Sequence, residues 1–253
     1  MATIEDLVRL APPPAEPVDA DADWAAVEAE LGLPLPADYK ALVGRYGHGE
    51  FHEIGLLTPA NLIARARQLL PAFGPSRERF PEYYPHLLYP EPGGLLEWGS
   101  HPAGHQLCWD TTNGWTMALV SEDGEAYRYD LDLTGLLHAY FSGEREFEPL
   151  LEAPPVPWFE SWVARQTVTV RFGEAGLPFE ERLRTLRELL APTEYRHVYS
   201  DWAVRFKAVG RDWLVTYQDG STHQLDIACR PDGFEEARAF VTVAARAMGC
   251  AVR

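Results

Sequence analysis

Cysteine is scarce in this 253-residue chain: Cys108, Cys229 and Cys250 are odd in number and far apart. That is no disulfide framework, and it sets the expectation of a reducing, cytoplasmic setting. Long apolar runs are missing too, since nothing approaches the roughly 18 consecutive apolar residues of a membrane span. The opening MATIEDLVRLAPPP is acidic and lacks the basic-then-apolar order of a secretory leader. There is no G-x-x-x-x-G-K-[ST] loop and no G-x-G-x-x-G, so the usual phosphate-cradling turns are absent. Ser121, Ser142 and Ser161 sit in no G-x-S-x-G elbow. No repeat recurs at a fixed period, which argues against a solenoid. Basic charge is short in one part of the chain only. Residues 1–160 carry 26 Asp+Glu against 9 Lys+Arg, and residues 161–253 carry 12 against 13. The net charge of −16 therefore belongs to the first part. A field of that sign repels nucleic acid and membrane surfaces and attracts basic proteins, besides keeping a protein soluble.

What is present is enough for a packed core. The chain is 46% hydrophobic, with eight Trp and 11 each of Tyr and Phe, which argues against disorder. Its length suits two domains. Residues 1–20 read as a leader with a Pro-rich linker, APPPAEPVDA, extended and unpacked. Residues 21–152 form the first domain. Asp23 caps a helix over Trp24–Leu31 that Gly32 stops, and Pro34 and Pro36 set a hinge. Tyr39, Leu42, Val43 and Tyr46 recur at helical spacing over Ala37–Tyr46, with Gly47 placed for a left-handed cap. Thr58-Pro59 opens a third helix, and Pro71–Gly94 reads as an irregular excursion. Short aromatic strands are expected at 94–99, 106–111, 115–121 and 126–130. Thr112-Asn113-Gly114 and Asp123-Gly124 act as hairpin turns. A helix capped by Asp132 or Thr134 closes the domain. After a linker at 153–164, residues 165–253 start a new pattern. Strands at 167–172, 202–209, 213–217 and 223–229, with helices at 179–190 and 234–248, give the order βαβββα, a small two-layer sandwich. The fold class expected for the whole chain is α+β.

Two histidine pairs invite a metal site: His48/His52, and His101/His105 with Cys108 and Asp110 nearby. A zinc-protease helix needs both imidazoles on one face with Glu between them. Glu50 falls one place late, and Gly47, Gly49, Pro102 and Gly104 break both helices. No metal and no cofactor is expected, although an enzyme using His101, His105, Cys108 and Asp110 stands as one hypothesis. Glu50, Glu53, Glu97 and Asp110 could pair as acid and base only at a fixed gap in a cleft, which spacing does not reveal. Trp98, Trp109 and Trp115 lie on neighbouring strands, so either all fill core or one is exposed as an interface anchor. The α-β-β-β-α portion of the second domain has the order of a double-stranded-RNA-binding module. Asp232, Glu235 and Glu236 stand where such a module needs basic side chains, so RNA binding is not expected.

One stretch carries a resemblance. Trp24, Glu28, Leu31-Gly32, Leu35-Pro36, Asp38-Tyr39, Leu42, Tyr46-Gly47, Gly49 and Phe51 make up its first block. Glu97-Trp98-Gly99, Gly104, Leu107, Trp109-Asp110 and Trp115 make up a looser second one. On these residues the region 20–145 resembles the SMI1/KNR4 family, the SUKH superfamily. The resemblance implies a mixed or antiparallel sheet flanked by helices. It also implies, for bacterial members, an immunity protein that binds and neutralises a toxin domain, often a nuclease. Fungal members are regulatory scaffolds. The expected function is therefore a non-enzymatic immunity protein. Its acidic surface covers a basic toxin domain, through Glu50, Phe51, Glu53, Glu97, Trp98, Trp109 and Asp110. The alternative is a regulatory scaffold with an endogenous partner, docked through the second domain. Residues beyond 145 extend past that resemblance.

Overall fold

The computed structural model describes every residue except Met1, Asn113, Leu151, Glu152 and Arg253, and leaves out the side chain of Glu174. The centre of the expected Thr112-Asn113-Gly114 turn thus lies outside the described residues. The chain is α+β and divides into two compact units, Met1–Trp162 and Val163–Arg253. Among the described residues no helix is long and apolar enough to cross a membrane.

The first unit contains helices α1 (Ile4–Leu10), α2 (Trp24–Leu31), α3 (Ala37–Tyr46), α4 (Pro59–Arg79) and α5 (Leu133–Phe141). Its strands are β1 (Gly49–Phe51), β2 (Ile54–Leu56), β3 (Leu95–Ser100), β4 (Gln106–Asp110), β5 (Thr116–Val120), β6 (Ala126–Tyr129) and β7 (Phe159–Ser161). They form one antiparallel sheet in the order β6-β5-β4-β3-β2-β1-β7. Alternation along β4 and β5 sends Leu107, Trp109, Met117 and Leu119 to one face, into a large cluster with α1, α2, α3 and α5. Cys108, Ala118 and Val120 face the other way into a smaller cluster with Leu95. The sheet is thus buried on both faces. Asp132 is the cap of α5, accepting from the Gly135 amide at 2.7 Å. Asp38 of α3 accepts from the Thr134 amide at 3.0 Å and ties the two helices together.

The structure departs from several expectations. The Pro-rich linker is not unpacked: the Tyr46 hydroxyl donates to the Ala11 carbonyl at 2.8 Å, and the segment before it is a capped helix, α1, whose Leu7 is fully buried. Val18 bridges to Gly47, and a Cβ at Gly47 would collide with the Val18 backbone. Gly47 also has φ of 68° but ψ of −152°, which turns the chain out into β1 instead of closing a left-handed cap. Secondly, the excursion at 71–94 begins as helix, because α4 runs through Pro71 and Pro75. Both prolines are exposed and four apart, so the backbone bonds they forfeit lie on the solvent side, where water replaces them. Thirdly, residues 159–161, expected within a linker, are a strand paired with β1.

The second unit contains β8 (Gln166–Ala175), α6 (Phe179–Leu189), β9 (Thr193–Ser200), β10 (Ala203–Ala208), β11 (Trp213–Asp219), β12 (His223–Cys229), α7 (Phe234–Ala247) and β13 (Cys250–Val252). The antiparallel order is β13-β8-β12-β11-β10-β9, with α6 and α7 packed over one face. The two-layer reading holds, but the order βαβββα omits β9 and β13. Two register shifts against β10 break the alternation of β9, so its sequence does not read as a strand. β13 is only three residues long.

Candidate functional site

The expected contact residues do not share a surface. Phe51, Trp98 and Trp109 are fully buried, which corrects their assignment as partner anchors. Phe51 packs against Tyr46 at 4.5 Å and Phe159 at 4.8 Å between ring centroids. Trp109 meets Tyr39 edge-on at 5.0 Å and Trp115 at 5.5 Å. Glu97 and Asp110 lie on the opposite face of the sheet, where their charges are already engaged. Glu97 accepts from Arg65 Nε at 2.8 Å, and burial still pushes its carboxyl above the ordinary range. Asp110 accepts from the Thr112 amide at 3.1 Å and pairs with Arg128. Glu50 of β1 and Glu53 of the β1–β2 turn are half-buried. Of the seven residues, these two are the most exposed.

The histidine pairs separate as well. His48 takes a hydrogen bond from Asn61 Nδ2 at 3.1 Å, while its Nδ1 lies 3.7 Å from Asp19. His52 sits in the β1–β2 turn, edge-on to Trp158 at 5.4 Å. His101 and His105 stack in the β3–β4 turn at 5.1 Å. Yet no three of His101, His105, Cys108 and Asp110 bring ligand atoms within 4.8 Å of one another. The Ala103 amide donates to His101 Nδ1 at 3.3 Å, which places the imidazole proton on Nε2 and leaves that nitrogen no lone pair for a metal.

Burial, with His105 beside it, holds His101 down at about 4 against an ordinary 6.5. Between these values the unfolded chain takes up a proton that the folded chain refuses. Stability therefore falls as pH drops from 6.5 to about 4 and levels off below. His101→Gln flattens this dependence: its urea midpoints at about pH 7 and about pH 5 lie closer together than those of the parent. An unchanged spacing would assign the slope to other groups.

A different surface gathers the acidity. The segment before α2, α2 itself and the start of α4 enclose a cleft of about 770 Å³ that carries Asp19, Asp21, Asp23 and Glu30 beside His48 and Asn61. Asp23 is there because it caps α2, accepting from the Ala26 amide at 3.1 Å. Glu30 pairs with Arg67. A second acidic group surrounds the β5–β6 turn. Glu122, Asp123 and Glu125 are exposed there, and the loop carrying Glu82 lies against Gly124. Of the nine basic residues in this unit, six are ion-paired among the described residues: Arg9, Lys40, Arg65, Arg67, Arg77 and Arg128. The surplus of carboxylates is therefore left at the surface.

One polar group belongs to no recognisable sequence motif. In the second unit Arg182, Tyr217, Asp219, His223 and Cys250 form a connected polar network. The signal was available, because Phe179, Arg182, Leu183, Leu186 and Leu190 recur at helical spacing and place Arg182 on the apolar face of α6.

Set against known proteins, the chain matches no family model, no curated protein and no solved structure.

Proposed function

We propose that the chain is a non-catalytic binding protein whose first unit covers a basic protein domain. This is the role that the immunity members of the SUKH superfamily, which residues 20–145 resemble, have towards toxins. The observation that carries the reading is the charge distribution: 26 acidic against nine basic residues before residue 161, with most of those bases neutralised internally. The contact surface is the carboxylate cleft of Asp19, Asp21, Asp23 and Glu30, replacing the buried aromatics. Carboxylates held at the cap and in the last turn of α2 and on a Pro-rich segment are largely preordered, which favours fast, charge-steered association.

The probe is a panel of purified basic nuclease-toxin domains, each titrated against the full chain. The affinity of the one that binds should weaken on the order of tenfold between about 0.05 and about 0.5 M salt. The triple variant Asp19→Asn, Asp21→Asn, Asp23→Asn should weaken it similarly at low salt. The fold tolerates these changes, because Asn serves as an N-cap and accepts the positive φ of 52° at position 19. Affinity indifferent to both salt and the triple variant would reject the charge-based reading.

A further inference from the structure

Two surfaces of the first unit carry exposed carboxylates, and they lie at opposite ends of α4. The cleft beside α2 reaches Pro59 at the start of this helix, and a loop leaves from Phe80 at its end. The helix is 21 residues long, about 30 Å. The second surface differs in kind, because large apolar side chains stand among its acids. We propose that the 80–91 loop and the β5–β6 turn together dock an arginine-bearing segment of a partner protein. The proposal does not rest on the carboxylate cleft.

The loop is firmly held. Arg77 of α4 pairs with Glu91 through both Nη atoms, Nη2 at 2.6 Å, and Glu91 accepts from the Leu88 amide at 2.9 Å. The Tyr83 amide donates to the Phe80 carbonyl at 3.1 Å. His86 Nε2 donates to the Gly124 carbonyl at 3.1 Å, which fastens the loop to the β5–β6 turn. Gly124 also approaches the Tyr83 carbonyl so closely that a Cβ would overlap it. The backbones of Tyr83 and of the turn are therefore direct neighbours.

This frame presents a mixed surface. Phe80 is 42% exposed and Tyr83 57%, with their rings edge to face at 6.5 Å, and Leu87 is half exposed. Glu78 at the end of α4, Glu82 in the loop, and Glu122, Asp123 and Glu125 around the turn are exposed as well. Exposed aromatic rings bordered by polar groups are the pattern of a contact site. The carboxylates fix the sign of the partner. Nucleic acid, anionic lipid and a second copy of this same face are all repelled. Of the arginines here, Arg77 is engaged by Glu91, whereas Arg79 has no carboxylate partner among the described residues. The Arg79 guanidinium lies instead over the Phe80 ring, 5.0 Å from its centre. The protein's own arginine thus shows how a cation settles on this surface. A guanidinium stacks on an aromatic face while its edge donates to a carboxylate, whereas a strongly hydrated ammonium is a point charge without that fork. Rings and acids brought together by one loop and one turn therefore suit arginine better than lysine.

The test is an amide NMR titration of the full chain with a Gly-Ser peptide carrying spaced arginines, beside its lysine and glutamate counterparts. The arginine peptide should move the signals of Tyr83, Leu87 and Gly124. It should do so at a roughly two- to fivefold lower concentration than the lysine peptide, the span of one exposed ring–cation contact. The glutamate peptide should move none of them. Tyr83→Ser should erase the preference for arginine. Glu122→Gln with Asp123→Asn should weaken both cationic peptides by a similar factor. These side chains are exposed, so both variants should keep the parental melting temperature. The cleft variant Asp19→Asn, Asp21→Asn, Asp23→Asn should leave the shifts at this loop in place, which separates a failure here from a failure of the charge-based reading. An equal response to arginine and lysine, shifts confined to the cleft, or a Tyr83→Ser protein titrating like the parent overturns the proposal. So does self-association in sedimentation that Tyr83→Ser removes, which would give the surface to a second copy.

Discussion

Trp109→Ala destabilises the first unit by about 3–5 kcal/mol, the range for deleting a large aromatic from a packed interior. The indole is fully buried, between Tyr39 of α3, Trp98 of β3 and Trp115 in the turn just before β5. These neighbours come from a helix, a strand and a turn that cannot all collapse inwards, so the cavity persists. A loss of that size approaches the whole stability of an ordinary domain, about 5–15 kcal/mol. Urea unfolding followed by near-ultraviolet circular dichroism should show the first unit largely unfolded in the variant. The same experiment separates core from contact surface. A Trp109→Ala protein that keeps parental stability and loses only its partner would return the ring to the contact surface. The Nε1 atoms of Trp98 and Trp109 are buried without a hydrogen-bond partner among the described residues, so the two rings stay in place through packing alone.

The helices with a sustained apolar period were legible. Tyr39, Leu42, Val43 and Tyr46 place α3 without a structure, and the inward residues Ala237, Val241, Ala244 and Met248 do the same for α7. Elements of three residues were not legible, because a period of two needs more than one repeat to show; β1, β2, β7 and β13 all fall in this class. α1 was masked by the prolines that follow it. The exposed prolines 71 and 75 hid the second half of α4, since sequence alone does not say on which side a missing donor falls. The site was less legible than the fold. Alternation shows that Trp98 and Trp109 face opposite to Glu97 and Asp110 only once register is known. Nor does sequence show that Arg65, 32 residues before Glu97, or Arg128, 18 after Asp110, neutralises its carboxylate. Net charge survived as a guide because it needs no register.

Arg182→Ala costs the second unit about 3–5 kcal/mol, the range for breaking a buried ion pair by removing one partner. Burial works against this guanidinium, but the Asp219 carboxylate more than restores its charge, holding Arg182 above its ordinary value. Its removal leaves the Tyr217 hydroxyl and His223 Nε2 without their shared donor in a site where the Tyr217 ring is stacked on Phe179 at 5.2 Å. Arg182→Lys recovers little, because an ammonium cannot fork between Tyr217, His223 and Asp219 as the guanidinium does. The pairing itself is read from a double-mutant cycle. Asp219→Asn alone strands a buried cation, whereas Arg182→Met with Asp219→Asn removes both charges and fills the space with apolar atoms. The double variant should therefore be more stable than the sum of the single losses allows, with a coupling energy between about 0.5 and 3 kcal/mol. Denaturant titrations of the four proteins measure it. Additive losses, or an Arg182→Ala cost below about 1 kcal/mol, would place the guanidinium in solvent and dissolve the network.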